Sequence, residues 1–272
     1  MDKLAAYKWT LAVIALLLLL EHRPRREAQG SNNKTWFSRR RHAHQLVFDL
    51  SLLFFQIFVL SELMSWIGRQ TNSITHLASP IRKTLTIDLG QIFPTLSRST
   101  IFLVTAVLFL CVWDFFQYWS HRLLHYEPFW KLLHRFHHGS RMYALTTFRH
   151  HPLEHVFLHA TITVPSSALY SFVFPSGNYF AFWLAASVQS LLLHSDLSIP
   201  RIPLLSVMVL TPNHHKLHHD INRHKSVNFG QYFTIWDRIF GTFLSPYQIN
   251  LRGVSTGQDN LFKENARQLS VR

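Results

Sequence analysis

Nineteen of the 272 residues are histidine, and fifteen of those fall between His121 and His224 in a patterned order. His121-Arg-Leu-Leu-His125 is H-x3-H; His134-Arg-Phe-His137-His138 is H-x2-H-H, and His215-Lys-Leu-His218-His219 repeats it. A lone His194 stands between the second and third groups. Residues three and four apart on an α-helix share a face, so each group is expected to aim its imidazoles at one point. Neutral imidazole is the commonest metal ligand, and its nitrogen suits iron, zinc, copper or nickel. A catalytic zinc site needs about three protein ligands. The nine donors His121, His125, His134, His137, His138, His194, His215, His218 and His219 therefore predict two metals. His22, His42, His44, His76 and His224 have no partner at ligand spacing and read as solvated or hydrogen-bonded side chains. His214 lies on a different helical face from the box beside it and is left out of the donor set.

The rest of the composition removes other chemistries. Cys111 is the single cysteine and sits in an apolar run, which excludes an intrachain disulfide, a thiolate zinc finger and a cysteine-ligated iron–sulfur cluster. No Gly-rich dinucleotide fingerprint occurs, so no residues are assigned to an organic cofactor. Hydrophobic residues make up 48% and charged residues 15%, against a net charge of +13. An apolar chain with this much positive charge suits a membrane protein with a basic aqueous face. A nucleic-acid binder would share the charge without the long lipid-like runs, so no nucleic-acid partner is expected.

These histidines must be positioned by apolar segments. Ala5–Leu20, Leu46–Ile67 and Thr100–Trp119 read as spans or parts of spans. Val156–Phe174 and Tyr179–Leu193, split by Pro175-Ser176-Gly177-Asn178, read as a helical hairpin. The first segment is followed by Glu21-His22-Arg23-Pro24 with no small-residue cleavage site, and reads as a retained anchor. Arg23, Arg25, Arg26, Lys34, Arg39, Arg40 and Arg41 assign the first connection to the cytoplasm. An even number of passes then brings every histidine cluster to that same face. The expected fold is an all-α, multi-pass membrane protein: helical spans beneath a cytoplasmic, His-rich metal-binding cap. It is a single integrated domain with an N-terminal anchor region over 1–99, a catalytic region over 100–245 and a polar tail over 246–272. Pro203–Leu210 is too short to span and is expected at the membrane interface.

The three boxes and their flanks resemble the fatty acid hydroxylase / sterol desaturase superfamily. Asp114-Phe-Phe-Gln-Tyr118-Trp119-Ser-His121-Arg122 matches the first box, and Arg149-His150-His151-Pro152-Leu153-Glu154 the His-Pro-x-Glu element. Thr211-Pro212 precedes the last box, while Asn228-Phe229-Gly230 and Trp236-Asp237-Arg238-Ile239-Phe240-Gly241-Thr242 follow it. The resemblance covers residues 100 to 245. It implies a non-haem centre of two irons held by the nine histidines, with O2 as co-substrate, that hydroxylates or desaturates a lipid from the bilayer. Electrons would come from a separate cytochrome b5- or ferredoxin-type donor with its reductase. The membrane would be a bacterial inner membrane or the endoplasmic reticulum. One departure stands out: where the family often places two histidines four apart at the end of the hairpin, Ser190 stands four before His194, which leaves the second metal one ligand short.

Carboxylates near the boxes carry supporting roles. Asp114, two helical turns before His121, is expected to accept from the N–H of a ligating imidazole, and Tyr118 to hydrogen-bond there too. Glu154 and Asp237 have weaker claims of the same kind, and His151 reads as structural. Two other readings stay open: a membrane zinc hydrolase activating water with the same imidazoles, and a non-enzymatic haem- or metal-binding membrane protein.

Overall fold

Ser97 opens the longest helix among the described residues. Its hydroxyl accepts from the Thr100 N–H at 3.1 Å, and the helix then runs without Gly or Pro to Leu124. The computed structural model containing it describes residues 11, 12, 14–18, 35–56, 89–139, 142–173, 179–220 and 226–247. Among these the architecture is helical. Its only β feature is an isolated antiparallel bridge between Val209 and Phe233.

Two long helices come first, α1 (Thr35–Phe55) and α2 (Arg98–Leu124). At 27 residues α2 is ~40 Å long, more than a bilayer core requires. It is the one helix among the described residues long and apolar enough to cross a membrane. Phe102, Leu103, Val107 and Leu108 are exposed along its outer face. α1 departs from expectation at its start: the helix begins at Thr35 rather than Leu46, so Arg39–Arg41 are helical and not loop. The stretch 35–46 contains no Gly or Pro to stop helix growth backwards from the apolar run. The expected continuation of that span past residue 56, most of the first segment, the hairpin turn at 175–178 and the tail past 247 lie outside the described residues.

Short elements build the rest. A π-helical turn, Trp130–His134, runs straight into α3 (Arg135–His138). A 3-10 turn, Ala144–Phe148, leads to α4 (Pro152–Leu158), which is started by Pro152 in its first turn and by His151, whose Nδ1 accepts from the Leu153 N–H. That capping contact gives His151 its structural role. A second π-turn, His159–Thr163, joins α4 to α5 (Val164–Val173), so the expected first hairpin arm is helical but interrupted. α6 (Tyr179–His194) is the second arm. α7 (Leu205–Met208) is one turn, with Leu204, Leu205, Val207 and Met208 exposed. α8 (Pro212–His219) carries the last box, and α9 (Ile235–Ile239) follows.

The core beneath the histidines joins distant parts of the chain. Ile14 and Leu17, Leu53 of α1, Ala144 and Leu145, and Leu191 of α6 form one buried cluster. Burying a leucine such as Leu145 or Leu191 contributes about 1.5–3 kcal/mol. A buried polar contact fixes α1 against the same turn: the Tyr143 hydroxyl donates to Asp49 at 2.6 Å, and Arg149 lies 3.5 Å from the other oxygen. The 3-10 turn is thereby held between α1 and α6, immediately ahead of His150.

Candidate metal centre

Five elements deliver the nine histidines to one buried place. α2 contributes His121 in its last turn and His125 as its C-cap. The π-turn and α3 contribute His134, His137 and His138, α6 ends on His194, and α8 supplies His215, His218 and His219. The imidazoles gather into two groups, each with its donor nitrogens within 4.8 Å of one another: His121, His125, His134, His138 and His218; and His137, His194, His215 and His219.

The boxes do not converge one to a point, as their spacing suggested. A residue four along a helix sits ~40° round from the first, while a residue three along sits ~60° round the other way. The pairs 121/125, 134/138 and 215/219 accordingly stay together, while His137 and His218 cross into the opposite group. The two H-x2-H-H boxes therefore interleave.

Hydrogen bonds at the outer nitrogens decide what faces inward. His121 Nδ1 lies 2.9 Å from the Phe229 carbonyl, His194 Nδ1 2.8 Å from the Ser190 carbonyl, and His218 Nδ1 2.8 Å from the Val227 carbonyl. A carbonyl oxygen only accepts, so Nδ1 carries the proton in each ring and a bare Nε2 lone pair points into the group. Buried His218 Nε2 has no hydrogen-bond partner. Between rings, Nε2 atoms approach to 3.2 Å for His121 with His134, and to 3.0 Å for His194 with both His137 and His215. Converging lone pairs repel one another unless a cation lies between them. Two nitrogens ~2.1 Å from one ion and at right angles would be ~3 Å apart, so the donor set fits metal ions in both groups.

Glu154 holds His134, with Oε1 2.7 Å from Nδ1, and its own side chain is fully buried. Burial pushes the Glu154 carboxyl well above the usual range and, with neighbouring imidazoles adding to it, holds His134 well below. Both directions favour an uncharged pair while the site carries no cation. A cation held by His134 would reverse that balance for Glu154, which would then accept from Nδ1 as a carboxylate. Burial and mutual repulsion likewise depress His137, His138, His215, His218 and His219, keeping them neutral and able to bind a metal.

Asp114 and Tyr118 act differently from expectation. Asp114 is fully buried and accepts the backbone N–H groups of Gln231, Tyr232 and Phe233 at 2.6, 2.8 and 3.0 Å; none of its partners is an imidazole. Three amides around one carboxylate outcompete a ring one or two turns further along its own helix. Tyr118 bonds Thr242 Oγ1 at 3.0 Å and receives Arg122 at 2.9 Å, again away from the histidines. Asp237 accepts from Phe229 N, Gly230 N and Thr242 Oγ1. The two aspartates thus grip the loop whose Phe229 carbonyl meets His121. Gly230 is required there by space: a Cβ would lie 2.8 Å from the Phe233 carbonyl and 2.9 Å from Leu210.

A cavity of about 110 Å³ borders both groups, reached by His121 and His134 from one and His137, His194 and His215 from the other. His150, passed over in the sequence, also lines it and stacks on His137 at 4.5 Å with planes 6° apart. The signal was present: His150 and Glu154 are four apart across the start of α4. Ser190 lines the cavity in place of a further histidine, and the group containing His194 has four rings where the other has five. His214 caps α8 against Thr211, and His44 is exposed, so neither enters the cluster. The side chain of His42, and His22, His76 and His224 entirely, lie outside what is described.

Sequence comparison agrees with this geometry. The fatty acid hydroxylase family matches residues 106–242, half of the chain. Human lathosterol oxidase is 33% identical over 156 residues, covering 55% of this chain and 48% of that protein. The rat lathosterol oxidase is 30% identical over 215 residues, 76% and 66% respectively. Sphinganine C4-monooxygenase 2 of Arabidopsis thaliana is 33% identical over 149 residues, 54% and 56%. The chain spans about half to two thirds of the length of these curated relatives. No solved structure matches. With the family pattern running from α2 through the last box and the Asp237 loop, the chain belongs to the fatty acid hydroxylase family.

Proposed function

We propose that the chain is a membrane-bound non-haem di-iron oxygenase that hydroxylates or desaturates a lipid C–H bond with O2. The observation that carries this is the pair of buried imidazole groups, five and four, whose outer nitrogens are tied to carbonyls and to Glu154 while their lone pairs converge. Supporting it, proteins similar to this chain are named lathosterol oxidase and sphinganine C4-monooxygenase. The catalytic region is assigned to residues 100–245, with the metals on the cytoplasmic side of a multi-pass bilayer protein.

Iron held there would supply one-electron chemistry with O2, giving an alcohol and water or an alkene and two waters. The protein's share is placement. The nine histidines would hold the two ions, His121, His125, His134, His138 and His218 one of them and His137, His194, His215 and His219 the other. Glu154 fixes the His134 ring and balances the charge. Leu124, Leu158 and Leu193 present an apolar wall to an alkyl substrate and limit water around the reacting carbon. Reducing equivalents enter from a separate cytochrome b5- or ferredoxin-type carrier, because the chain has no dinucleotide fingerprint of its own. Purified protein given NADPH and O2 alone is expected to be silent until carrier and reductase are added.

Metal analysis of anaerobically purified protein, paired with lipid profiles of cells with and without the gene, tests the reading. About two irons per chain and a lipid shifted by one oxygen or two hydrogens support it. Zinc alone with hydrolytic turnover would replace it with the hydrolase.

A further inference from the structure

Gln117 is an amide placed in an apolar helix with nothing to bond among the described residues. It lies four residues before His121 and seven before Leu124, and all three line the cavity from one face of α2. Gln117 makes no side-chain hydrogen bond to any described residue. Its neighbours of the same type are all committed. Gln189 donates to the carbonyls of Leu210 and Gln231, and Gln231 donates to the Ala186 carbonyl. Ser190, across the cavity, is paired with Thr147. A polar group in a membrane helix that serves no neighbour and faces a cavity is a functional-site candidate.

Rooted in the oxygenase reading above, the geometry points to Gln117 as a specificity determinant that binds a hydroxyl group of the lipid substrate close to the carbon that is oxidised. The chemistry selects hydroxyl among common lipid polar groups. An amide offers one acceptor and two donors, which matches a neutral group that both gives and takes a hydrogen bond. No lysine or arginine lines the cavity, so a phosphate or carboxylate head has no counter-charge there. Glu154, the one acid in the lining, is engaged by His134. One helical turn separates Gln117 from His121, ~6 Å along the axis, so the hydroxyl and the oxidised carbon are a few bonds apart. The substrate class is a hydroxylated lipid oxidised near its polar end. A hydrocarbon oxidised in mid-chain leaves Gln117 desolvated and unpaired.

Full-length, iron-loaded protein in nanodiscs is challenged with lathosterol, sphinganine and an alkylglycerol, each beside its counterpart lacking the hydroxyls, and thermal stability is read. At least one hydroxylated lipid should raise the Tm while its deoxy counterpart does not. Its affinity should fall about tenfold in Gln117→Met, with iron content unchanged. Equal response to hydroxylated and deoxy lipids overturns the inference, as does discrimination that survives in Gln117→Met. So does an iron-loaded protein that responds to none of the three. If Gln117→Met does not fold, the wild-type comparison still decides. Failure of the oxygenase reading itself is seen separately, as absence of iron and of any oxidised lipid in cells.

Discussion

The Phe229 carbonyl oxygen and His121 Nδ1 lie 2.9 Å apart, and two buried acids on either side of the loop hold that carbonyl where it is. Asp237 takes the N–H groups of Phe229 and Gly230, and Asp114 takes those of Gln231, Tyr232 and Phe233. One backbone segment is thus fixed by two side chains, and through it the tautomer of a ring in the five-histidine group.

Asp114→Asn is therefore expected to act on stability before chemistry. An amide at this position turns one end from acceptor to donor against the surrounding N–H groups. Leaving one buried N–H unpaired costs about 1–3 kcal/mol. The drop should appear as a lower unfolding midpoint in both iron-loaded and iron-free protein; an unchanged midpoint in both would remove Asp114 from this role.

Glu154→Gln is the graded case for the metals. The amide oxygen can still accept from His134 Nδ1 but carries no charge. Iron should stay bound while turnover falls roughly ten- to a hundredfold. Full activity in this variant would mean that the carboxylate has no part in tuning the site.

Removing a single ring should empty one group. His137→Ala takes one of four donors and His218→Ala one of five. Iron should fall by about one per chain and activity disappear in each, while His44→Ala, at an exposed position, changes neither. A His137→Ala protein with full iron and full turnover would sink the two-metal reading.

Acid should destabilise the protein from about the ordinary histidine value of 6.5 downward. His134, His137, His138, His215, His218 and His219 are depressed when folded, so the unfolded chain binds protons that the folded one refuses. Stability contributed this way is present above 6.5 and lost as pH falls. Two carboxyls raised by burial work in the opposite sense: Glu154, held well above its usual range, and Asp237, pushed up from 3.8 to about 6, contribute stability at low pH that is lost as pH rises through their folded values. Six imidazoles outweigh two carboxyls. Unfolding midpoints measured between pH 5 and 8 should fall towards the acid end, and a flat profile would contradict the burial of these rings.

Topology supplies the fifth expectation. Cysteines placed beside His134, His194 and His218 in a Cys111→Ser background should all label from the cytoplasm. Labelling of any two from opposite sides would break the single-face arrangement.

Much of the site could be read from spacing, because helical periodicity is local. The nine rings brought together are the nine that three- and four-residue intervals and His194 picked out. Their division is legible too, since offsets of ~40° and ~60° on opposite sides of a helix point to two directions and not one. The role of Asp114 is not legible, for a different reason. Its partners lie 117 to 119 residues away in the chain, and no local pattern announces a carboxylate folding onto distant backbone amides. The Phe229 carbonyl is silent likewise, since a backbone acceptor carries no residue type. In the fold, α2 follows from its apolar run, whereas α1 starts early because helix propensity extends the apolar segment into its basic flank.

The crossing of His137 and His218 into opposite groups means that neither H-x2-H-H segment owns a centre. Each is stitched to both, so a first ion, once captured, would align α3 with α8 and preshape the second pocket. Loading should be cooperative, with few chains carrying a single iron at half-saturation. A one-iron enzyme would not come from cutting out either H-x2-H-H box, since each feeds both groups; removing His125 with His138, or His194 with His219, would strip one group alone.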